Sequence, residues 1–389
     1  MSLHQASLET AFQQVKTYTD NLTIRSSENL PSIVLGNEGR FFTWDNEKRS
    51  PAKGHPYLYS WSYYIGVVME GLMKLGQAQF TSNYHDYVRD YTRALITNGE
   101  LNEKAGYVVH HGLDCYKTAA LLQWFPDEDE CQQVANTLFH DLHVTNHKYT
   151  EEDIGGNYWH SWYSKQPPRF RVWLDGLYMA QPFLAHQAAQ RGDEVLLHDI
   201  AQRFFWVHEN LRSAQTGLLH HAGNSTEDAC PFFWLRAMGW YMMAQVDVMP
   251  YLAKQDQETL LNQFNQQVDA ILHYADETTG LWTNLIDQPV SDGNRLETSG
   301  SSMMIYALLK AVRLGWAAEH RERYLEAATK AYISLVELKL KDGHLSDIYL
   351  MANANGSNNY ENTAWYLNDE GKGVGPFIMA TAEISYLLQ

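Results

Sequence analysis

The chain has 389 residues, of which 45% are hydrophobic and 19% are charged, and this composition excludes an intrinsically disordered protein. Acidic residues outnumber Lys and Arg by 46 to 29, and the net charge of −17 argues against general electrostatic binding of nucleic acid or anionic lipid. No stretch is as apolar as a membrane helix, and the first residues lack a signal-peptide pattern. We therefore expect a globular, cytoplasmic protein with neither nucleic acid nor membrane as a partner.

The N-terminal segment from about Leu8 to Leu22 is amphipathic and predicts an outer helix that has no partner before it in the chain. Residues 26–57 follow as a long connection with weak periodicity, and loops of this length in a compact domain are usually functional. A charge-poor helix then begins at Trp61, and a polar helix covers about His85 to Ile96. These segments predict the first pairing of an inner helix with an outer one.

A repeat organises the middle of the chain. A leucine followed by a charged residue recurs every 61 residues, at Leu113-Asp114, Leu174-Asp175, Leu235-Arg236 and Leu296-Glu297. Each pair opens a charge-poor stretch typical of a helix buried on all sides, and a segment of helical amphipathic character follows. Glycines recur at nearly the same period, at Gly156, Gly217, Gly280 and Gly343. They predict tight returns toward the rim where the inner helices begin.

The connectors after these glycines are expected to bring aromatic and histidine side chains to that rim. The residues concerned are Trp159, His160, His220, His221 and Trp282. The rim would also collect the four charged residues of the repeat, Asp114, Asp175, Arg236 and Glu297. A second long connection covers residues 342–373.

The last helix, VGPFIMATAEISYLL, is charge-poor and lacks an outer partner, which the N-terminal helix can supply. Six inner and six outer helices then predict an all-α fold, an (α/α)6 barrel of six αα-hairpins in which the N-terminal helix pairs with the C-terminal inner helix. We expect a single catalytic domain over residues 1–389. The alternative is an open α-solenoid with a long concave surface and dispensable terminal repeats.

The sequence gives no sign of a metal site or a cofactor. Cys115, Cys131 and Cys230 are odd in number and widely spaced, so neither a disulfide framework nor a zinc site is expected, and buried thiols are. The adjacent histidines His110-His111 and His220-His221 do not indicate a metal site, because neighbouring residues of an extended chain point in opposite directions. Phosphate-binding and nucleophile motifs are absent from the sequence.

Asp175 and Asp114 are the candidate catalytic residues. Asp175 begins an otherwise uncharged helix, where the helix dipole favours an ionised carboxylate, and it could serve there only as a helix cap. Asp114 occupies the equivalent position of the preceding repeat. Two carboxylates that converge on one apolar rim perturb each other's pKa, so that one can stay protonated near neutral pH. The pair therefore indicates acid/base catalysis.

The segment FFWLRAMGWY places Trp234, Arg236 and Trp240 within two helical turns. A buried arginine is costly without a partner. A bound carboxylate could be that partner, and so could a structural salt bridge to Asp114, Asp175 or Glu297. His111 and His221 are candidate rim residues, and each could equally be a hydrogen-bonded structural histidine.

The segments WLDGLYMAQPFLA, GLLHHAG, FWLRAMGW, ETSGSSMMIYAL and GVGPFIMATAE resemble the ordered motifs of glycoside hydrolase family 105, the unsaturated rhamnogalacturonyl hydrolases. The unsaturated glucuronyl hydrolases of family 88 are more distantly similar. The resemblance spans nearly the whole chain, and its most specific parts are the tryptophan two residues before the aspartate and the Trp-x-Arg-x-x-x-Trp run. It implies an (α/α)6 barrel without a metal or other cofactor. It also implies removal of a 4-deoxy-4,5-unsaturated uronic acid from the non-reducing end of oligosaccharides made by pectin lyases.

The same resemblance implies roles for individual residues. Asp175 would be the general acid/base and Asp114 its partner carboxylate. Substrate contacts would come from Trp173, His221, Trp234, Arg236 and Trp240, with His111 as a further candidate. Lys165 lies ten residues before Asp175, where family members have a basic residue. The segment WHSWYSKQPPRFRVW departs from the family's His-Lys spacing, and the connector before Arg236 is shorter than the family's and lacks its tryptophan, so the sequence does not define the aglycone sugar.

Other functions remain compatible with the sequence. An unsaturated glucuronyl hydrolase that acts on other lyase products is one. A sugar epimerase or isomerase on the same barrel would use His111 and His221 as opposed bases, which leaves Asp114 and Asp175 without a role. A non-catalytic carbohydrate-binding protein would carry its aromatic residues on an exposed stripe and would need no buried carboxylates. The sequence does not predict the oligomeric state.

Overall fold

The computed structural model describes residues 3–25, 31–34, 43–45, 50–52, 57–58, 61–79, 81–102, 112–146, 149–161, 167–352, 354 and 360–389. Its main helices in chain order are α1 (Leu3–Leu22), α2 (Tyr63–Ala78), α3 (Asn83–Ala94), the 3₁₀ helix η1 (Leu113–Trp124), α4 (Asp129–His140), α5 (Leu174–Arg191), α6 (Glu194–Asn210), α7 (Leu235–Val248), α8 (Lys254–His273), α9 (Thr298–Arg313), α10 (Arg321–Lys339) and α11 (Gly371–Leu388). Short helical turns lie at Asp141–Thr145, Glu152–Ile154, Met249–Tyr251, Ala318–His320 and Thr363–Trp365.

The strands are short and antiparallel. They are β1 (Thr23–Arg25), β2 (Pro31–Val34), β3 (Thr43–Asp45), β4 (Ser50–Ala52), β5 (Tyr57–Leu58), β6 (Ile96–Thr97), β7 (Glu100–Leu101), β8 (Val172–Trp173), β9 (Ala222–Gly223), β10 (Leu340–Lys341), β11 (His344–Leu345), β12 (Ile348–Tyr349) and β13 (Tyr366–Leu367). One three-stranded sheet has the order β1-β2-β5, and the other strands form the pairs β3-β4, β6-β7, β8-β9, β10-β11 and β12-β13.

The charge-poor helices form a closed inner ring. Helices α2, η1, α5, α7, α9 and α11 each pack against the next, and α11 packs against α2. All residues of α7 are buried, although this helix contains Arg236 and Asp247. The amphipathic helices α3, α4, α6, α8 and α10 lie outside this ring, with their apolar faces turned inward. The predicted (α/α)6 barrel is therefore confirmed.

The N-terminal helix completes the outer layer. Helix α1 packs against both α10 and α11. The Tyr18 hydroxyl donates a hydrogen bond to Asp369 at 2.7 Å, and the Tyr18 ring lies 6.3 Å from that of Phe377 in α11. This contact joins the two ends of the chain as predicted, and it excludes the open solenoid.

The second inner helix differs in its winding from the others. Leu113–Trp124 forms a 3₁₀ helix of 12 residues, whereas α5 has 18 residues in α-helical conformation. A 3₁₀ helix rises about 2.0 Å per residue and an α-helix about 1.5 Å, so the two span roughly 24 and 27 Å. The tighter winding lets a shorter segment cross nearly the same depth of barrel.

Connectors attach to the starts of the inner helices in a repeated way. The first N–H group of an inner helix donates to a connector carbonyl of the following hairpin, in the pairs Leu113 to His160, Leu174 to His221, Leu235 to Asn284 and Thr298 to Asp347. The four repeat glycines that precede these connectors all have φ angles between 68° and 78°, so the predicted tight returns are confirmed. No helix in the described part of the chain is long and apolar enough to span a membrane.

Candidate active site

A cavity of about 500 Å³ lies where the inner helices begin, within the size range of small-molecule sites. Its charged lining residues include Asp114, Asp175, Arg236 and Lys372, and its aromatic ones include Trp173, Trp234 and Trp240. Six side chains that the sequence assigned to a substrate site therefore share one cavity. His221 lies directly behind the wall, against Asp175.

Four of the charged residues that line the cavity share one structural position. Asp114, Asp175 and Arg236 are each the second residue of their inner helix, and Lys372 is the second residue of α11. The start of an inner helix points its free N–H groups and its positive dipole end at the cavity. The dipole favours a carboxylate at this position and disfavours the positive charges of Arg236 and Lys372.

Asp175 is paired with a buried histidine. The Nε2 atom of His221 lies 3.2 Å from the Oδ2 atom of Asp175, and the Nδ1 atom lies 2.6 Å from the hydroxyl of Tyr360. Strand pairing of β8 with β9 sets Trp173 opposite Ala222 and so fixes this connector beside α5. Burial lowers the pKa of His221, and a neutral imidazole is therefore favoured. The N-cap of α5 is Trp173, so Asp175 is not the helix cap that the sequence left open.

Asp114 has the corresponding histidine of the preceding connector as its neighbour. The Nε2 atom of His160 lies 3.8 Å from Oδ1 of Asp114. Burial raises the pKa of Asp114, and Asp175 raises it further, against the lowering effect of His160 and Lys372. Burial also acts to raise the pKa of Asp175, but His221, His160 and Arg236 outweigh it and lower that pKa. The two carboxyl groups are therefore driven apart in pKa, as acid/base pairs are.

Aromatic rings hold these groups in place. The Trp173 ring stacks on His160 with centroids 4.6 Å apart and packs edge-on against His221 at 4.9 Å. Trp240 stacks on Tyr178 at 5.1 Å, which leaves Trp240 firmly oriented at the cavity wall. Flat rings of this kind suit the faces of sugar rings.

Arg236 is anchored to the protein. Its Nη1 atom donates to the carbonyl of Tyr349, and its Nη2 atom donates to that of Leu350 at 3.1 Å. The guanidinium lies 4.4 Å over the Trp234 ring and 4.0 Å from Glu297. The structural ion pair that the sequence left open is therefore present, with Glu297 as the partner, although Arg236 also lines the cavity.

The predicted convergence of Glu297 on the rim is wrong. Glu297 precedes α9 and caps it by accepting hydrogen bonds from the N–H groups of Ser299 and Gly300, and it is fully buried. It also accepts from the N–H of Tyr349. An offset of two helix positions, from the second residue to the N-cap, thus converts a cavity position into a helix cap, because the N-cap side chain turns back onto the helix.

Three connector residues also lie elsewhere. Trp159 donates to Glu151 at 3.2 Å, His220 contacts the Cys230 carbonyl at 2.7 Å, and Trp282 donates to the Ile271 carbonyl at 2.8 Å. Neighbouring residues of an extended segment point in opposite directions. His160 and His221 therefore face the inner-helix starts, while Trp159 and His220 face away from them.

Some predicted residues lie outside the described part of the chain, namely His111, Lys165 and the side chain of Cys115. Cys131 and Cys230 are buried and free, as predicted. The sequence did not single out Tyr63, Lys372 or Tyr360. Tyr63 begins α2 and lines the cavity, and burial raises its pKa well above the usual value, with Asp114 adding to the effect. Its position at an inner-helix start is the signal that could have identified it.

Comparison with known proteins agrees with this architecture. The model of Glycosyl Hydrolase Family 88 matches residues 43–388. Protein Atu3128 of Agrobacterium fabrum is 31% identical in an alignment of 228 residues that covers 53% of this chain and 97% of that protein.

Two solved structures share the fold. The family 105 glycoside hydrolase of C. acetobutylicum ATCC 824 is 30% identical, with a TM-score of 0.73 over 84% of this chain and 94% of that one. The unsaturated glucuronyl hydrolase of Bacillus sp. GL1, responsible for the degradation of glycosaminoglycan, is 14% identical, with a TM-score of 0.66 over 97% and 96%. Because the family model matches most of the chain, the chain belongs to Glycosyl Hydrolase Family 88 and is a glycoside hydrolase of the 88/105 group.

Proposed function

We propose that the protein is a cytoplasmic unsaturated rhamnogalacturonyl hydrolase, which removes a 4-deoxy-4,5-unsaturated uronic acid from the non-reducing end of pectin-derived oligosaccharides. The observation that carries this proposal is the pair of carboxylates, Asp114 and Asp175, in one cavity with Arg236 and Lys372. Carboxyl groups with separated pKa values suit an acid/base reaction. The cations suit an anionic sugar, although the whole chain has a net charge of −17. The 30% identity to the family 105 structure favours the rhamnogalacturonan product over other uronides.

The reaction uses the vinyl ether of the unsaturated sugar. Asp175 donates a proton to C4, and the resulting oxocarbenium ion at C5 is attacked by water. The Asp175 carboxylate then accepts a proton from that water, so a single residue serves as acid and as base. The hemiketal formed at C5 opens and expels the aglycone. The spacing of two carboxylates that separates retaining from inverting glycosidases therefore does not apply to this reaction.

Asp175 must be protonated when the substrate is bound. In the free protein His221, His160 and Arg236 lower the pKa of Asp175 against the effect of burial. A bound uronate brings another negative charge and displaces water, and both changes raise the pKa of a nearby carboxyl group. Asp175 therefore takes up its proton as the substrate enters. After the proton has passed to C4, the contact with His221 and the positive charge of Arg236 stabilise the carboxylate that activates water.

The proposed activity is tested by following the ultraviolet absorbance of the C4=C5 bond. Unsaturated disaccharides from rhamnogalacturonan, glucuronan and glycosaminoglycan are each incubated with the protein, and the rhamnogalacturonan product is expected to lose its absorbance fastest. An epimerase or isomerase would leave the double bond intact. Preferred turnover of a glucuronyl or glycosaminoglycan disaccharide would instead identify an unsaturated glucuronyl hydrolase.

Asp114→Asn is expected to change the pH dependence of this reaction. Activity requires a protonated carboxyl group, so it is lost as the pH rises through that group's pKa. Removing the Asp114 carboxylate lowers the pKa of Asp175. The alkaline limb of the kcat profile, where activity falls as the pH rises, should therefore lie about one pH unit lower. His160→Gln provides the opposite control, because His160 lowers the pKa of Asp175 and its removal should move the limb to higher pH. An unmoved alkaline limb in Asp114→Asn would contradict the pairing of the two carboxyls.

Arg236→Lys is expected to weaken both folding and substrate binding. A lysine cannot reproduce the planar donors that hold the carbonyls of Tyr349 and Leu350, and each buried carbonyl left without a donor costs about 1–3 kcal/mol. The released segment continues into the cavity wall at Met351 and Ala352, so KM should rise as Tm falls. The control is Arg323→Lys, whose side chain is 48% exposed and pairs with Asp269 away from the cavity. Unchanged Tm and KM in Arg236→Lys would show that the anchoring has no effect.

A further inference from the structure

Lys372 is a buried cation that takes no part in the proton transfers of the proposed reaction. It lines the cavity and is 7% exposed. Among the described residues, Glu370 is the one hydrogen-bond acceptor of its Nζ atom, at 2.7 Å. An ammonium group has three N–H donors, so two of them have no acceptor among the described residues.

The position of Lys372 is unfavourable on three grounds. It lies in the first turn of α11, where the helix dipole opposes a positive charge. Burial lowers its pKa, and Arg236 lowers it further by repulsion. Groups placed against such local preferences concentrate at functional sites. An anion in the cavity would relieve all three effects together.

Other buried lysines of the barrel have structural roles that Lys372 lacks. Lys310 of α9 pairs with Asp247 of α7, and Lys117 of η1 pairs with Glu70 of α2. Each of these pairs joins two helices. The pair of Lys372 with Glu370, by contrast, joins residues two positions apart at the start of one helix. Its contribution to holding the barrel together is therefore small.

Arg236 is less available to a ligand than Lys372. Both of its terminal nitrogens already donate to the backbone carbonyls of Tyr349 and Leu350, and its Nε atom is buried without an acceptor among the described residues. The side chain of Arg236 is 1% exposed against 9% for Lys372, so Arg236 acts on the cavity mainly through its charge. The groups that face Lys372 are Glu370, Asp114 and Arg236, with the rings of Tyr63 and Tyr64 each 5.9 Å from Nζ.

We propose that Lys372 is the binding residue for the carboxylate of the uronic acid, with Glu370 as the residue that positions its ammonium group. This inference rests on the proposed function and names the group that recognises the acidic part of the substrate. The carboxylate lies between Lys372 and the positive field of Arg236. A neutral sugar, or a uronic acid whose carboxyl group is esterified, is then poorly bound.

The test compares an unsaturated uronyl disaccharide with its C6 methyl ester as substrates. Wild-type protein should prefer the acid. In Lys372→Met the KM for the acid should rise roughly 10- to 100-fold, the range expected for a lost hydrogen bond to a charged group, while the KM for the ester stays unchanged. Lys372→Arg should keep the preference for the acid. Lys310→Met is the matched control, because it removes a buried lysine outside this cavity and should leave the acid-to-ester ratio as in the wild type.

Two further measurements keep the test decisive. Lys372→Met leaves Glu370 as a buried, unpaired carboxylate, so the double variant Glu370→Gln with Lys372→Met removes both charges and should show the same loss of preference. Calorimetric binding of galacturonate and its methyl ester needs no turnover, and galacturonate should bind more weakly to the variants than to the wild type. A wild-type acid-to-ester preference that persists in folded variants, or equal galacturonate affinity, would overturn the role of Lys372. A wild-type protein that consumes no unsaturated uronide but binds galacturonate through Lys372 would overturn the proposed function alone.

Discussion

Asp175→Asn is expected to fold like the wild type and to lose nearly all activity. The amide keeps the volume of the carboxyl group and leaves His221 a neighbour at the same place, but it can neither donate the proton to C4 nor accept one from water. Loss of a general acid/base group lowers the rate by about 10²- to 10⁴-fold. The measurement is kcat by the absorbance assay, together with the thermal melt of both proteins.

Asp193→Asn is a matched control for this substitution. Asp193 is the N-cap of α6 and accepts a hydrogen bond from the N–H of Leu196 at 3.0 Å. Asparagine caps helices about as well as aspartate, so this variant should keep both its stability and its activity. If Asp175→Asn behaved in the same way and kept a tenth of wild-type turnover, Asp175 would have only a structural role.

The repeat and the charge-poor stretches of the sequence were together sufficient to predict the barrel. A period set by leucine-charge pairs located four of the inner helices, and the charge-poor stretches from Trp61 and in VGPFIMATAEISYLL located the others. A helix buried on all sides cannot carry many charges, so composition alone distinguished the inner helices from the outer ones. The 3₁₀ winding of η1 could not be predicted, because the same residues favour either helix type and packing decides between them.

The candidate site was predictable where it follows the repeat. Asp114, Asp175 and Arg236 are second residues of inner helices, and the period therefore identified them together. Glu297 keeps the period but stands one residue before its helix begins. Periodicity gives the spacing along the chain, but it does not give the position of the helix start, which capping determines.

Two of the residues that were missed, Lys372 and Tyr360, belong to the last hairpin, where the long connection over residues 342–373 interrupts the period. Lys372 holds the same second-residue position as Asp175 but lies 136 residues after Arg236, so no fixed spacing identifies it. Tyr360 reaches His221 from that connection, and contacts of this kind depend on tertiary packing. A search that aligned the inner helices by their starts would have found Lys372.

Deletion of residues 1–24 is expected to leave the chain insoluble or molten. Helix α1 buries Leu8, Phe12, Val15, Tyr18 and Leu22 against α10 and α11. Each large apolar side chain contributes about 1.5–3 kcal/mol by burial, so the deletion removes on the order of 10 kcal/mol. This loss is comparable with the whole stability of a typical domain, about 5–15 kcal/mol. Near-ultraviolet circular dichroism and a thermal melt measure the result.

Point substitutions in α1 separate lost packing from lost chain length. Val15→Asp places a charge at a fully buried position and should reproduce much of the effect, whereas Gln14→Ala on the exposed face should not. A soluble truncated protein with the full near-ultraviolet signal and a cooperative melt would contradict a barrel that depends on α1 for closure.

The same helix connects the closure of the barrel to the active site. Tyr18 donates to Asp369, which also accepts from the N–H of Leu345 at 2.7 Å and lies 2.6 Å from Nδ1 of His344. Asp369 is followed by Glu370 and then by the start of α11. Tyr18→Phe removes the hydroxyl but keeps the ring, so it should leave the barrel folded while loosening the segment that sets the position of Lys372. We therefore expect this variant to raise KM for an acidic substrate with little change in kcat, because Asp175 lies on a different helix.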